Sequence, residues 1–333
     1  MPDRDEVGFI NKSALRSAEF KHERDIFNAL TELGHRVDVF GLYDDLMALE
    51  HVIESRSYDL IFNQCETFLG SRNFESQIAA FCELKQIPIT GASSHALDIC
   101  KDKALSKKIV SYDGVCTPQF VTTYQKIDRL LNDLTFPVIC KPLGLEASEG
   151  VSAKSMAYTS EEAQKRAKFL KNKYGVEAIV EEYIAGRELY VGILDAERLC
   201  VFPPQELKFR KFTNQPKIAT YRVKWDKQYR KKWGIDSDVA RNINRLELQK
   251  INQATRQAFR SLRLSGFARM DFRLTESGDI YFIEANPNPA LGKHDDFAWS
   301  AKNFGMTYVE LIDKIVKNAL RKNKGDKCLS IVA

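Results

Sequence analysis

Two runs of alternating side chains near the C-terminus, joined by a turn, constrain the fold more than any other stretch. Residues 268–291 read ARMDFRLTESGDIYFIEANPNPAL. Met270, Phe272 and Leu274 alternate with Arg269, Asp271 and Arg273, and Tyr281, Ile283 and Ala285 alternate with Phe282, Glu284 and Asn286. A period of two is that of a half-buried strand. Glu276-Ser277-Gly278-Asp279 supplies a four-residue turn, with glycine taking the unusual backbone angles. Thr275 then pairs with Ile280. Counting outward, Arg273 faces Phe282, Asp271 faces Glu284 and Arg269 faces Asn286, with opposed side chains about 5 Å apart.

Two carboxylates held so close repel each other unless a cation lies between them. Asparagine adds a neutral oxygen. Oxygen ligands of this kind suit Mg²⁺, which takes one or two carboxylates and fills its shell with substrate phosphates. A solvated strand face carrying an Arg–Asp–Glu ion-pair network explains the same residues, so the rest of the chain must decide.

At 333 residues the chain is long enough for two or three domains with their own cores. A hydrophobic share of 44% and a charged share of 29% are those of a soluble globular protein. No apolar run reaches the roughly 18 residues of a membrane span, and MPDRDEVGFINK lacks the apolar core of a signal peptide. The seven cysteines are scattered without a C-x-x-C pair, which fits a reducing cytoplasm and argues against a zinc or disulfide framework. A net charge of +5 is compatible with anionic small substrates and too weak to imply nucleic acid by itself.

The first hundred residues alternate helix and strand. A helical run from Ser13 to Leu33 closes at Gly34, RVDVF, YDLIFN and IPITG read as strands, and 74–85 reads as a helix. That order predicts a parallel α/β sheet over residues 1–100. Asp102 to Val115 reads as a helix. FPVICKP follows as a strand ending at Lys141, then a loop with Gly144, Ser148 and Gly150. Thr159 and Glu162 form a capping box for a helix ending at Gly175. Residues 101–185 thus make a small antiparallel α+β unit. Residues 186–322 make a larger one around the hairpin, and 323–333 are a tail. The stretch from Lys208 to Trp233 interleaves basic and aromatic residues. It fits a single-strand nucleic-acid groove, a loop closing over a triphosphate, or a plain charged loop.

Taken together, these features resemble the ATP-grasp superfamily and, within it, the D-alanine–D-alanine ligases, from Leu60 to Leu311. EANPNPAL is similar to the family's metal motif E-x-N-x-x-P. The resemblance implies an ATP-grasp fold: an N-terminal parallel α/β domain, and nucleotide bound between two α+β domains. It implies ATP with two Mg²⁺ ions, Mn²⁺ being able to replace them. Lys103 and Lys141 would contact the ATP phosphates. Ser148 and Gly150 would lie in the loop covering them. Glu181, Glu182, Tyr183 and Ile184 would line the adenine site, and Glu188 would bind ribose. Lys224 would reach the terminal phosphates from the second loop. Asp271, Glu284 and Asn286 would bind metal, and Arg269 would steady the acyl phosphate and the oxyanion.

The resemblance breaks down on the substrate side. GFINKSALRSAEFKHE replaces a glycine-rich segment whose glutamate grips the first substrate's ammonium; Glu19 and Glu23 are the candidates here. A Ser–Tyr contact between the two loops falls at Ala147 and Trp225. QCETFLGSRN replaces a His-Gly loop, leaving Glu66, Arg72 and Asn73 to shape the acceptor pocket. Ala290 stands where the family has glycine. Asp295 stands where the family has a serine for the second substrate's carboxylate, and a shift of one residue would put Gly292 or His294 in that role. A carboxylate there repels an incoming carboxylate and suits a cationic group. His294 is the histidine expected nearest the chemistry.

The expected activity is an ATP- and Mg-dependent carboxylate–amine ligase acting through an acyl phosphate, on substrates other than two D-alanines. A true D-alanine–D-alanine ligase is the alternative within the class. A non-catalytic nucleotide- or nucleic-acid-binding protein is the alternative outside it. Small-molecule carboxylates and amines are the expected partners, with no nucleic acid and no membrane, and a homodimer is left open.

Overall fold

The computed structural model describes residues 4–5, 8–10, 13–55, 58–124, 131–145, 148–212 and 216–325. Ala147, Cys328 and the tail beyond residue 325 lie outside them. Among the described residues no helix is long and apolar enough to cross a membrane.

The N-terminal region opens with two-residue strands β1 (Arg4–Asp5) and β2 (Phe9–Ile10). The helical run expected from Ser13 begins as two 3₁₀ turns, and the α-helix is confined to Lys21–Glu32. Arg24 accounts for the break: its Nη1 donates to the carbonyls of Leu15, Arg16 and Ser17 at 2.9, 2.9 and 3.0 Å. Those carbonyls are thereby satisfied without a continuous helix. The expected parallel sheet is reduced, among the described residues, to one parallel bridge between Ile61 and Ile89, with Phe9 and Phe40 bridging antiparallel. Side chains divert the ladder. Asn63 N–H donates to the Thr90 hydroxyl at 2.9 Å, and the Asn63 side chain accepts from Cys65 N–H at 3.0 Å. This local bonding competes with strand pairing.

The small sheet contains β3 (Phe120–Thr122), β4 (Val138–Pro142), β5 (Met156–Ala157) and β6 (Ala178–Glu182), in the order β3-β6-β4-β5, all antiparallel. Helix Ser160–Tyr174 packs Ala163, Ala167 and Leu170 against Val138, Cys140 and Val180, and ends at Gly175 in the left-handed conformation. Cys140 is wholly buried there, a small core residue.

The large sheet holds β7 (Arg187–Asp195), β8 (Leu199–Val201), β9 (Gln205–Phe209), β10 (Ile235–Val239), β11 (Phe267–Leu274) and β12 (Ile280–Asn286). Its order is β10-β9-β7-β11-β12, with β8 beside β7. One face buries Leu189, Val191, Met270 and Phe272 against helix Arg245–Ser261. The other face carries the polar alternates. Gly186 links the sheets at φ 141°, and a Cβ there would lie 2.2 Å from the Leu274 carbonyl oxygen. Only glycine allows that crossing.

Candidate active site

Strands β11 and β12 pair Arg269 with Asn286 and Asp271 with Glu284, as counting outward from the turn predicts. Nearer the turn the register differs. Leu274, not Thr275, partners Ile280, and Arg273 faces Tyr281 instead of Phe282. Thr275 joins the loop, where its hydroxyl accepts from Asp279 N–H at 3.0 Å. The pairing slips back between Asp271 and Phe272, which leaves Ile283 as the extra residue of a β-bulge. One extra residue inverts a period of two. Phe282 therefore turns into the core beside Phe272, ring centroids 6.0 Å apart. Glu284 and Asn286 return to the polar face.

That face continues onto β7, where Glu188 lies opposite Arg273 and Tyr190 opposite Asp271. Arg269 grips Asp271 with both arms: Nε donates to Oδ1 at 2.7 Å and Nη2 to Oδ2 at 3.0 Å. Its guanidinium stands 4.8 Å from the Tyr190 ring centroid. Arg273 Nη2 donates to Glu188 Oε2 at 2.8 Å, and the Tyr190 hydroxyl donates to Oε1 at 2.9 Å.

The small sheet and the helix Lys103–Tyr112 supply cations. The Asp102 side chain caps this helix by accepting from Ala104 and Leu105 N–H, each at 2.9 Å. Lys103 Nζ donates to the Leu145 carbonyl at 2.6 Å and stands 3.9 Å from Glu284 Oε2. Lys141 bonds Glu181 Oε1, and Lys107 lies 3.1 Å from Glu181 Oε2. Glu181, which the resemblance puts beside adenine, thus directs its carboxylate to two lysines. Lys107 also bonds the Ile283 carbonyl and is fully buried. Sequence reasoning missed it, because Lys107-Lys108 looks like a solvated helix face.

Two loops close the space. The Ser148 hydroxyl donates to the Ala219 carbonyl at 2.6 Å, and Tyr221 N–H donates to the Val151 carbonyl at 3.2 Å. Gly150 faces away, its absent Cβ 2.6 Å from Pro142 Cγ, and its carbonyl accepts from Arg166 Nη2 at 2.7 Å. In the basic stretch, Phe209, Phe212, Tyr229 and Trp233 pack on one another, while Tyr221 and Trp225 are exposed with ring centroids 6.5 Å apart. Lys208 pairs with Asp238 and Arg210 with Asp236.

One cleft of about 450 Å³ is lined by Lys103, Lys141, Ser148, Glu181, Glu182, Tyr183, Ile184, Glu188, Lys224, Arg269, Asp271, Glu284 and Asn286. The same cleft is also lined by Glu66, Arg72, Glu75, Ala290, His294, Asp295 and Asp296. Arg72 pairs with Glu66 at 3.0 Å. Gly292 does not line the cleft; it is packed between His22 and Asp295. Asp295 Oδ2 accepts from Gly292 N–H at 2.8 Å and lies 3.5 Å from His22 Nε2. His22, on the first helix, is therefore the histidine in contact with Asp295, while His294 is exposed. No sequence spacing links residue 22 to residue 295.

Charges divide the two facing carboxylates. Burial pushes Asp271 up to about 6; Arg269 opposes the shift and Glu284 adds to it. Burial also raises Glu284, but Lys103, Lys224, Lys141 and Lys107 outweigh it and hold that carboxyl well below its usual range. Burial lowers Lys107.

A family model described as the D-ala D-ala ligase C-terminus matches residues 103–317. The chain belongs to the D-alanine–D-alanine ligase family. A D-alanine–D-alanine ligase of Pelagibacter ubique is 30% identical over 273 residues, 80% of this chain and 83% of that protein. An uncharacterized protein of Sinorhizobium fredii is 29% identical over 275 residues, 83% of this chain and 79% of that one. The crystal structure of the D-alanine–D-alanine ligase from Bacillus anthracis complexed with ATP aligns at a TM-score of 0.69, covering 94% of this chain and 96% of that one at 20% identity. The fold is ATP-grasp. The protein is an ATP-dependent carboxylate–amine ligase, forming a carbon–nitrogen bond.

Ligases of this family use ATP and a divalent metal. Among the described residues no three His, Cys, Asp or Glu side chains cluster as a metal cage. The ligase offers two carboxylates and the Asn286 amide, a donor set that suits a hard cation completing its shell with phosphate oxygens. The Glu284 carboxylate makes no side-chain hydrogen bond among the described residues, and Lys103 Nζ stands 3.9 Å from it. Asp271, though gripped by Arg269, keeps lone pairs for a metal, since an ionised carboxylate has about four acceptor sites.

Proposed function

We propose that this ligase activates a small carboxylate with ATP and joins it to an amine other than D-alanine. The reading rests on one observation: Lys103, Lys141, Lys224, Arg269, Asp271 and Glu284, distant in sequence, line a single cleft. In this reading residues 101–185 and 186–322 are the lobes around the nucleotide, and residues 1–100 carry part of the substrate wall. Glu182, Tyr183 and Ile184 flank the adenine and Glu188 the ribose, with Arg273 and Tyr190 holding the Glu188 carboxylate in place.

A substrate carboxylate oxygen attacks the γ-phosphorus and ADP leaves, giving an acyl phosphate. Lys103, Lys141 and Lys224 neutralise charge on the transferring oxygens. Two Mg²⁺ ions held by Asp271, Glu284 and Asn286, replaceable by Mn²⁺, would supply further charge neutralisation. The amine then attacks the acyl carbon. Arg269 steadies the tetrahedral oxyanion, the acyl C–O bond to phosphate breaks, and the amine's proton passes to solvent. No cysteine is needed as a nucleophile.

The acceptor end argues against a free carboxylate. Asp295, Asp296, Glu66 and Glu75 line it, and Arg72 is engaged by Glu66. Two like charges within about 4–6 Å disfavour ionisation of both. An acceptor presenting a cationic or uncharged group avoids that repulsion. ADP release against a panel of amino acids, dipeptides and amines, with mass spectrometry of the product, tests the reading. Efficient formation of D-alanyl-D-alanine would replace it with the activity its Pelagibacter relative is named for.

A further inference from the structure

Lys107 has no part in the chemistry described so far, yet it is one of the largest fully buried side chains of the protein. A buried ammonium is costly unless it is paired and hydrogen-bonded. Its partners lie in different parts of the site. One is the carbonyl of Ile283, the residue that the β-bulge leaves outside the β11–β12 pairing. That carbonyl immediately precedes Glu284. The other is Glu181 on the small sheet, whose second oxygen holds Lys141. The chain leaving the lysine's helix grips the bulge as well, through Phe282 N–H donating to the Cys116 carbonyl at 2.8 Å.

We infer that Lys107 is a positioning residue that couples the metal-binding strand to the phosphate-binding lysine. Through Ile283 it fixes the bulge that turns Glu284 toward Asp271. Through Glu181 it fixes where Lys141 presents its charge. Lys103, one turn earlier on the same helix face, stands beside Glu284 itself, so this helix sets both distances at once. The inference rests on the ligase reading for the roles of Glu284 and Lys141. Its geometry and its test do not depend on the identity of the substrates.

The test is Mn²⁺ binding in the presence of ADP, measured by calorimetry on the full-length protein, for wild type, Lys107→Met and Lys107→Gln. Methionine keeps length and burial but donates nothing. Glutamine can still donate to the Ile283 carbonyl. Residues that orient metal ligands change metal affinity by about 10–100-fold when removed, and a loss of that size is expected for Lys107→Met. Lys107→Gln should recover part of it, and ADP binding without metal should weaken less than Mn²⁺ binding does. Unchanged Mn²⁺ affinity in a folded Lys107→Met protein would overturn the inference. So would failure of both variants to fold, which would assign Lys107 to stability alone. Absence of turnover with every substrate tried would count against the proposed function and leave this measurement intact.

Discussion

Asp271 faces Glu284 across the hairpin although the loop joining their strands is one residue longer than simple alternation predicts. The bulge at Ile283 absorbs the difference. The carboxylate pair is thus a product of two departures from regular pairing that cancel at the site.

Replacing Glu284 tests the pair directly. Glu284→Gln keeps the shape and removes the charge that four lysines surround. ADP formation should fall at least about 100-fold, the scale of losing one preorganised electrostatic group. The melting temperature should move by no more than about 4 °C. Near-normal turnover would remove Glu284 from the mechanism.

Metal binding at the proposed Asp271–Glu284 site should depend on pH. Asp271 is raised from 3.8 to about 6 by burial, so the metal-free protein keeps a proton there at mildly acidic pH. A raised carboxyl favours the folded, metal-free state below its ordinary value, and that contribution is lost as pH rises through about 6. A divalent cation needs the ionised form. Mn²⁺ affinity in the presence of ADP should therefore be full above about pH 6 and fall by up to tenfold per unit below it, with proton release. A flat profile from about pH 5 to 7 would mean that Asp271 is already ionised.

Ser148 latches the small-residue loop onto the Ala219 carbonyl. Ser148→Ala removes one hydrogen bond, worth about 1 kcal/mol. The KM for ATP should rise about fivefold, and trypsin should cut the Lys208–Trp233 stretch faster in the variant. Nucleotide should slow that cleavage in the wild type. Cleavage indifferent to nucleotide would mean that the stretch does not close over it.

Asp295→Asn keeps an acceptor for Gly292 N–H and removes the charge beside His22. D-alanine should be a poor acceptor for the wild type and improve about tenfold in the variant, since one repulsive contact of about 1.4 kcal/mol is a factor of ten. Equal use of D-alanine by both proteins would clear Asp295 of any part in selection.

What sequence conveys about this protein follows the range of its forces. The cross-strand partners of Asp271 and Arg269 could be counted because strand alternation is local. The bulge could not, since a single extra residue leaves no mark on composition. Lys107 is hidden for a related reason: a buried lysine and a solvated one are the same letter, and only the meeting of two sheets distinguishes them. His22 reaches Asp295 through packing of the first helix against the last part of the chain, a contact with no periodic signature. Apolar runs mark the N-terminal strands in the sequence, but Thr90 and Asn63 redirect the backbone hydrogen bonds that would have extended them.

The account stands or falls on the acyl phosphate. Carboxylate substrates labelled with ¹⁸O in the carboxyl group, supplied with Mg-ATP and the amine panel, report on it directly. Attack by the carboxylate on the γ-phosphorus followed by amine displacement transfers one labelled oxygen to the released phosphate. The account predicts phosphate carrying one ¹⁸O for each amide formed. Amide formation with unlabelled phosphate would contradict it.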